Sequence, residues 1–307
     1  MAPRWGNFVK RERELCSRTE LWFLCPVTAA RCHRGTVHRV TSNANRPATY
    51  LDRIVEAHRV EAANDPRNLG ELAAAAQTHP LPTRGFRRAL QAPGLSVIAE
   101  IKRRSPSKGA LNAELDPGTM AIAYETGGAA SLSVLTDVDH FGGSISDLQT
   151  ARNSCSLPVI RKDFTVCLAD IYDARLMGAD CVLLIAACLS DDELGTFHQA
   201  GVHVGLDVLV EIHDEIELAR ALAVGATLVG VNQRDLVTFA VDHERAMRVG
   251  RSMPSDLVRV AESGVRGPHD AASLAGAGFD AVLVGESIVT SGDPAASVAA
   301  LIAAGDR

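Results

Sequence analysis

Seven polar residues of this chain share one pattern: each arrives just as an apolar run is about to end. Glu100 and Lys102 close Val97–Lys102, Lys162 closes Pro158–Lys162, and Glu211 sits near the end of Val208–His213. Asn232 and Arg234 close Leu228–Arg234, and Glu262 closes Val258–Glu262. Side chains two apart on a strand share a face, so Glu100 and Lys102 lie with Ile98, Lys162 with Ile160, Glu211 with Leu209, and Glu262 with Val260. Acids and bases do not readily point inward from a strand unless they face each other or a ligand, so these read as charged groups delivered to a site at the strand ends. An ion-pair plug is the structural alternative, since three acids (Glu100, Glu211, Glu262) balance three bases (Lys102, Lys162, Arg234). Buried pairs add little net stability, so a charged ligand explains the convergence better.

The elements that carry these residues read as a repeat. Eight β-branched or Leu-rich runs follow one another: the five above, Ser131–Thr136, Cys181–Ala186 and Ala281–Gly285. Their starts lie about 20–35 residues apart, enough for a strand, a helix and two loops. Ala-rich helical stretches such as Glu215–Ala223 and His269–Ala277 fill the gaps. The pattern predicts an α/β fold, a (β/α)₈ TIM barrel, whose active sites lie at the C-terminal strand ends. A doubly wound sheet is disfavoured because no G-x-G-x-x-G follows the first strand. Glycine-rich turns close the last two strands, Glu262-Ser263-Gly264-Val265-Arg266 and Val284-Gly285-Glu286-Ser287. In barrels those loops commonly bind phosphate through backbone N–H groups.

Before the first strand the spacing of Leu51, Ile54, Val55 and His58 predicts an amphipathic helix. A turn at Asp65-Pro66-Arg67-Asn68 ends it, and a second helix over Leu69–Gln77, a Pro80/Pro82 linker and Phe86–Leu90 follow. Residues 47–307 read as one barrel domain that includes these helices. Residues 1–46 differ: nine Lys/Arg against three acids give +6, which leaves −12 for the remainder of a chain whose net charge is −6. That leader reads as a transit peptide, a basic interaction tail or translated sequence upstream of the true start. Seven cysteines without a C-x-x-C pair read as reduced thiols in a cytoplasmic protein, not a zinc site. No run approaches the roughly 18 apolar residues of a membrane span, and the acidic balance does not favour nucleic acid as a partner. No exposed apolar helix face stands out, so a monomer is expected.

The motifs E-I-K-R-R-S-P-S-K-G, R-K-D-F, V-E-I-H, N-Q-R-D-L, A-E-S-G-V and V-G-E-S occur in this order from residue 100 onward. Together they resemble the indole-3-glycerol phosphate synthase family over the chain from about residue 48 to the end. The resemblance implies a cofactor-free, metal-free lyase of tryptophan biosynthesis. Its reaction is ring closure, decarboxylation and dehydration of 1-(2-carboxyphenylamino)-1-deoxyribulose 5-phosphate to indole-3-glycerol phosphate, CO₂ and water. It implies Lys162 as general acid for ring closure, Lys102 and Glu211 as acid and base for dehydration, Glu100 and Asn232 as orienting groups, and Glu262 as a hold on the substrate's hydroxyls and the lysines. Burial and nearby cations would lower a lysine pKa for that work. Arg234, with Lys102, would meet the substrate carboxylate. Phe141, Phe164, Leu183 and Leu236 would wall the anthranilate ring, and Ser105, Arg104, Ser263, Gly264, Gly285 and Glu286 would hold the phosphate. The helical preface would lie over the barrel mouth, and any protein partners would be other tryptophan-pathway enzymes in weak contact. The alternatives are another phosphate-binding barrel, such as phosphoribosylanthranilate isomerase, or a non-catalytic pathway scaffold. The isomerase relies on Cys and Asp where this chain offers Lys and Glu.

Overall fold

A computed structural model describes residues 49–106, 108–235 and 240–305; the 1–46 leader and Leu236 lie outside the described residues. Eight parallel strands close into a barrel: β1 (Ser96–Ile101), β2 (Ser131–Leu135), β3 (Val159–Lys162), β4 (Cys181–Ile185), β5 (Asp207–Ile212), β6 (Leu228–Asn232), β7 (Val258–Glu262) and β8 (Ala281–Val284). Each strand pairs with its neighbours in the chain, and β1 closes on β8 with Ser96 opposite Ala281. The helices are α1 (Tyr50–Ala63), α2 (Leu69–Gln77), α3 (Phe86–Ala89), α4 (Pro117–Thr126), α5 (Ile145–Ser154), α6 (Leu168–Leu176), α7 (Asp191–His203), α8 (Glu215–Ala223), α9 (His243–Ser252), α10 (Pro268–Gly276), α11 (Glu286–Val289) and α12 (Pro294–Gly305).

Strand ends differ from the sequence reading by a residue or two. Thr136, Ala186, His213 and Gly285 have left their strands, and Arg234 pairs only through an isolated bridge to Val241. The predicted parity is present. Ile98, Ile160, Leu183, Leu209 and Val260 fill the barrel interior, whereas Val97, Ala99, Leu132, Val134 and Val210 face the helices. Because the period is two, the polar residues at the strand ends continue the interior set upward.

The preface does not lie wholly over the mouth. Only α1 does, its N-terminus closed by a capping box between Thr49 and Asp52. Ile54 is buried, and Arg59 forks onto Glu193 at 2.7 and 3.1 Å. The chain then descends: α2 packs on α6, and Arg67 bridges to Asp173 at 2.8 Å. At the opposite end Arg84 donates to the carbonyls of Cys155 (2.9 Å), Leu157 (2.8 Å) and Arg152 (3.0 Å). Backbone N–H groups of Arg84 and Arg87 bind Asp180 and Asp207, beside the N-terminal ends of β4 and β5. Phe86 and Leu90, both fully buried, join the interior cluster and close the barrel floor. A helical pattern shows which face is apolar but not which surface receives it, which is why the floor plug was not anticipated.

Phe86→Ala should lower the unfolding free energy by about 3–5 kcal/mol, as for other buried aromatic truncations, with kcat within a few-fold while the protein is folded. Urea denaturation checks this, and a change below about 1 kcal/mol would remove Phe86 as the plug.

Candidate active site

The mouth opens into a cavity of about 630 Å³, within the usual range for small-molecule sites. Glu100, Lys102, Lys162, Glu211, Asn232, Arg234 and Glu262 all line it, from five of the eight strands or their ends. Lys162 ends β3 and places Nζ 2.9 Å from Glu211 Oε2 and 3.3 Å from Glu262 Oε2. Asn232 Nδ2 donates to Glu211 Oε1 at 2.9 Å, so each Glu211 oxygen has its own donor. Lys102 Nζ pairs with a Glu100 carboxylate oxygen. Two glycines make the room. A Cβ on Gly230 would overlap the Glu262 carboxylate, and one on Gly285 would overlap that of Glu100. Strand position alone did not reveal this use of Gly230.

Burial penalises the Lys162 ammonium, but Glu211, Glu262 and Glu100 outweigh that and raise its pKa. The expected lowering by neighbouring cations is therefore absent in the free protein, because the neighbours are carboxylates. Burial also penalises the Glu211 carboxylate, yet Lys162, His213 and Asn232 bring its pKa down to about 2. Glu262 goes the other way, to about 8, since burial and the Glu211 charge exceed the help from Lys162. Lys162 stands within ion-pair distance of Glu262, but neither Glu262 oxygen has an aligned hydrogen bond. One ammonium thus serves one ionised carboxylate and one mostly protonated acid at neutral pH. This division leaves Glu211 a base and Lys162 a loaded acid.

Ser105, Ser263, Gly264, Gly285 and Glu286 also line the cavity. Among the described residues Ser263 is the one non-glycine with positive φ (67°), followed by Gly264 at 76°. Strain of this kind clusters at ligand sites, and here Gln233 Nε2 holds the Ser263 carbonyl at 2.8 Å. Ser287 Oγ donates to the Val265 carbonyl at 3.0 Å. Arg104 does not line the cavity: it is exposed, and its guanidinium reaches the Val138 carbonyl at 3.4 Å. Lys108 lines the cavity instead, with Nζ 3.5 Å from a Glu286 carboxylate oxygen. Arg104 and Lys108 both belong to a short antiparallel ribbon in which Arg104 pairs with Ala110, with Lys108 in the turn between its strands. Lys108, Gln233 and Arg266 were not singled out, because they lie in loops where no periodicity assigns direction.

The apolar wall is formed by Phe141, Phe164 and Leu183, with the two phenyl centroids 6.3 Å apart. Tyr50, Leu51 and Ile54 of α1 extend it, contacts the sequence reading left unassigned. His58, Asp137 and Asp163 come close enough to hold a metal ion. Their atoms are already committed: Asp137 to His58, His140 and two backbone N–H groups, Asp163 to Thr136, Arg161 and the Phe164 N–H. A cation there would have to displace these partners.

A closed (β/α)₈ barrel with an acid–base cluster at its C-terminal strand ends defines an enzyme of the barrel class. Similarity to known proteins narrows the class. The indole-3-glycerol phosphate synthase family profile matches residues 51–301. The indole-3-glycerol phosphate synthases of Mycobacterium tuberculosis and Mycobacterium avium are each 48% identical over 261 residues, covering 84% of this chain and 96% of theirs. The chain belongs to the indole-3-glycerol phosphate synthase family and is a decarboxylating lyase. Among solved structures, a 3-hexulose-6-phosphate synthase has a TM-score of 0.55 at 18% identity, covering 68% of this chain and 99% of that one. The thiamine phosphate pyrophosphorylase of Pyrococcus furiosus has a TM-score of 0.52 at 14% identity, covering 72% and 96%. These two likenesses are of fold alone. No helix among the described residues is long and apolar enough to cross a membrane.

In the unfolded chain Glu262 ionises near the ordinary 4.5, in the folded protein near 8. Between these values the unfolded state has released a proton that the folded state keeps, so this group's contribution to stability falls as pH rises. Glu211 adds no slope in that window, because its lowered pKa makes its contribution complete above 4.5. Glu262→Gln should therefore gain thermal stability relative to wild type between pH 5 and 8.5. A Tm difference that stays constant across those pH values would contradict the assignment.

Proposed function

We propose that the caged Lys162 is the general acid for ring closure of 1-(2-carboxyphenylamino)-1-deoxyribulose 5-phosphate. The observation that carries this is the position of Nζ, half-buried at the end of β3 against Glu211 and Glu262 and facing the cavity. As the aromatic carbon bearing the carboxylate attacks the ribulose carbonyl, that oxygen becomes strongly basic. Lys162, whose raised pKa keeps it charged at working pH, gives it a proton at that moment. The bond to the carboxylate carbon then breaks, CO₂ leaves and its electrons restore the ring. Dehydration follows: Lys102 protonates the departing hydroxyl and Glu211 takes the proton that completes the indole. Two protons are given and one is taken. The net proton replaces the negative charge that decarboxylation leaves behind.

Arg234 and Lys102 supply the charge for the substrate carboxylate, Arg234 with a planar fork suited to it. The Ser263-Gly264 and Gly285-Glu286 turns, with Ser105 and Lys108, take the phosphate. Phe141, Phe164 and Leu183 clamp the anthranilate ring. The reading requires no metal or organic cofactor, because a side chain lining the cavity is assigned to every proton it moves.

Lys162→Ala should lower kcat by about 10²–10⁴-fold, the usual contribution of a positioned acid, while product binding measured by fluorescence titration stays within a few-fold. Lys162→Arg keeps the positive charge without a transferable proton and should be nearly as slow. Near-wild-type kcat in both variants would overturn the assignment.

A further inference from the structure

We propose that His213, clamped by Glu217, is a positioning residue that holds Glu211 in its ionised form during turnover. The inference rests on the reading of Glu211 as the dehydration base. His213 immediately follows β5 and does not line the cavity, so it touches Glu211 and not the substrate. Its backbone N–H donates to Glu217 Oε2 at 2.7 Å, and its Nδ1 lies 3.1 Å from the same oxygen. Glu217 is itself placed by the cap of α8, where its N–H donates to Asp214 Oδ1 at 2.9 Å. A carboxylate on Nδ1 fixes the proton there and turns Nε2 toward the barrel. That Nε2 is buried, has no hydrogen-bond partner and stands 3.9 Å from Glu211 Oε1. A buried imidazole nitrogen without a hydrogen-bond partner calls for an explanation, and the carboxylate it faces across that gap is Glu211.

The charges around the ring favour the imidazolium. Burial opposes it, but the hydrogen bond to Glu217 and the charges of Glu211 and Glu217 outweigh burial and raise its pKa, with Arg245 of α9 opposing. Arg245 is partly neutralised by Asp235 at 3.7 Å and Asp242 at 4.0 Å. Beyond Glu211 lie Lys162 of β3 and Asn232 of β6. In the free protein Lys162 is the main cation on Glu211. Once Lys162 has passed its proton to the substrate that charge is gone, and Glu211 must still be a carboxylate to accept one. The imidazolium, closing the gap at Nε2, supplies the positive charge at that stage. Glu217, out of the cavity, keeps the imidazole charged and oriented.

The test is single-turnover formation of product by the full chain from pH 6 to 9, with Glu211→Gln, His213→Gln and Glu217→Gln alongside wild type. His213→Gln retains a neutral side chain of similar reach. It should lower the rate about tenfold near neutral pH, the effect of one pKa unit at Glu211 once Lys162 has given up its charge and Glu211 titrates in that range, with KM nearly unchanged. It should also remove the fall in rate expected of wild type as His213 deprotonates. Glu217→Gln should move that fall to lower pH, and the His213 ring titration followed by NMR should move with it. An unchanged pH profile in His213→Gln, or a loss uniform across pH, would overturn the inference while leaving Glu211 as base. Full activity in Glu211→Gln would instead remove the base assignment, and the inference with it.

Discussion

One half-buried ammonium, shared between two buried carboxylates, sets the terms for the mouth of this barrel. Lys162 compensates Glu211 directly and stands beside Glu262, and burial makes each group depend on the others. Removing one partner from such a cluster leaves a desolvated charge without compensation, a loss typically of about 3–5 kcal/mol. The asymmetry within it is chemically useful. Asn232 gives Glu211 a further donor, whereas Glu262 has no aligned hydrogen bond. The same lysine therefore produces one carboxylate that is ionised and one that is mostly protonated near neutral pH. A cluster arranged this way offers both acid and base within a few ångströms.

Holding it requires a stiff frame, since catalytic groups tolerate displacements of only about 0.5 Å. β3 has four residues, and its outward-facing Arg161 is anchored to Asp163 at 3.1 Å. The segment before β1 contributes by tying the barrel end to end. It covers the mouth with α1, crosses the outside with α2 and closes the floor with Phe86. Glycines do the complementary work at Gly230 and Gly285, where any side chain would collide with a site carboxylate.

Much of this is legible in the chain because strands alternate with a fixed period. Ile98, Ile160, Leu209 and Val260 establish which face is inward, and Glu100, Lys162, Glu211 and Glu262 follow on that face. Loops carry no such rule. Arg104 and Lys108 are four residues apart in one polar turn, and only the folded ribbon decides that Lys108 reaches the cavity. The direction of the Lys162 pKa was also beyond the sequence. It depends on which charges lie nearest, and strands distant in the chain bring Glu211 and Glu262 closer than any cation. Phe86 shows the same limit for packing: its burial is readable, its place under the barrel is not.

The most direct test is to supply 1-(2-carboxyphenylamino)-1-deoxyribulose 5-phosphate and follow the fluorescence of indole-3-glycerol phosphate. The full chain would be compared with one that begins at Asn45. Since every group assigned to the chemistry lies beyond that point, both should form product with similar kcat/KM. Two folded proteins that bind the substrate without forming product would contradict the account.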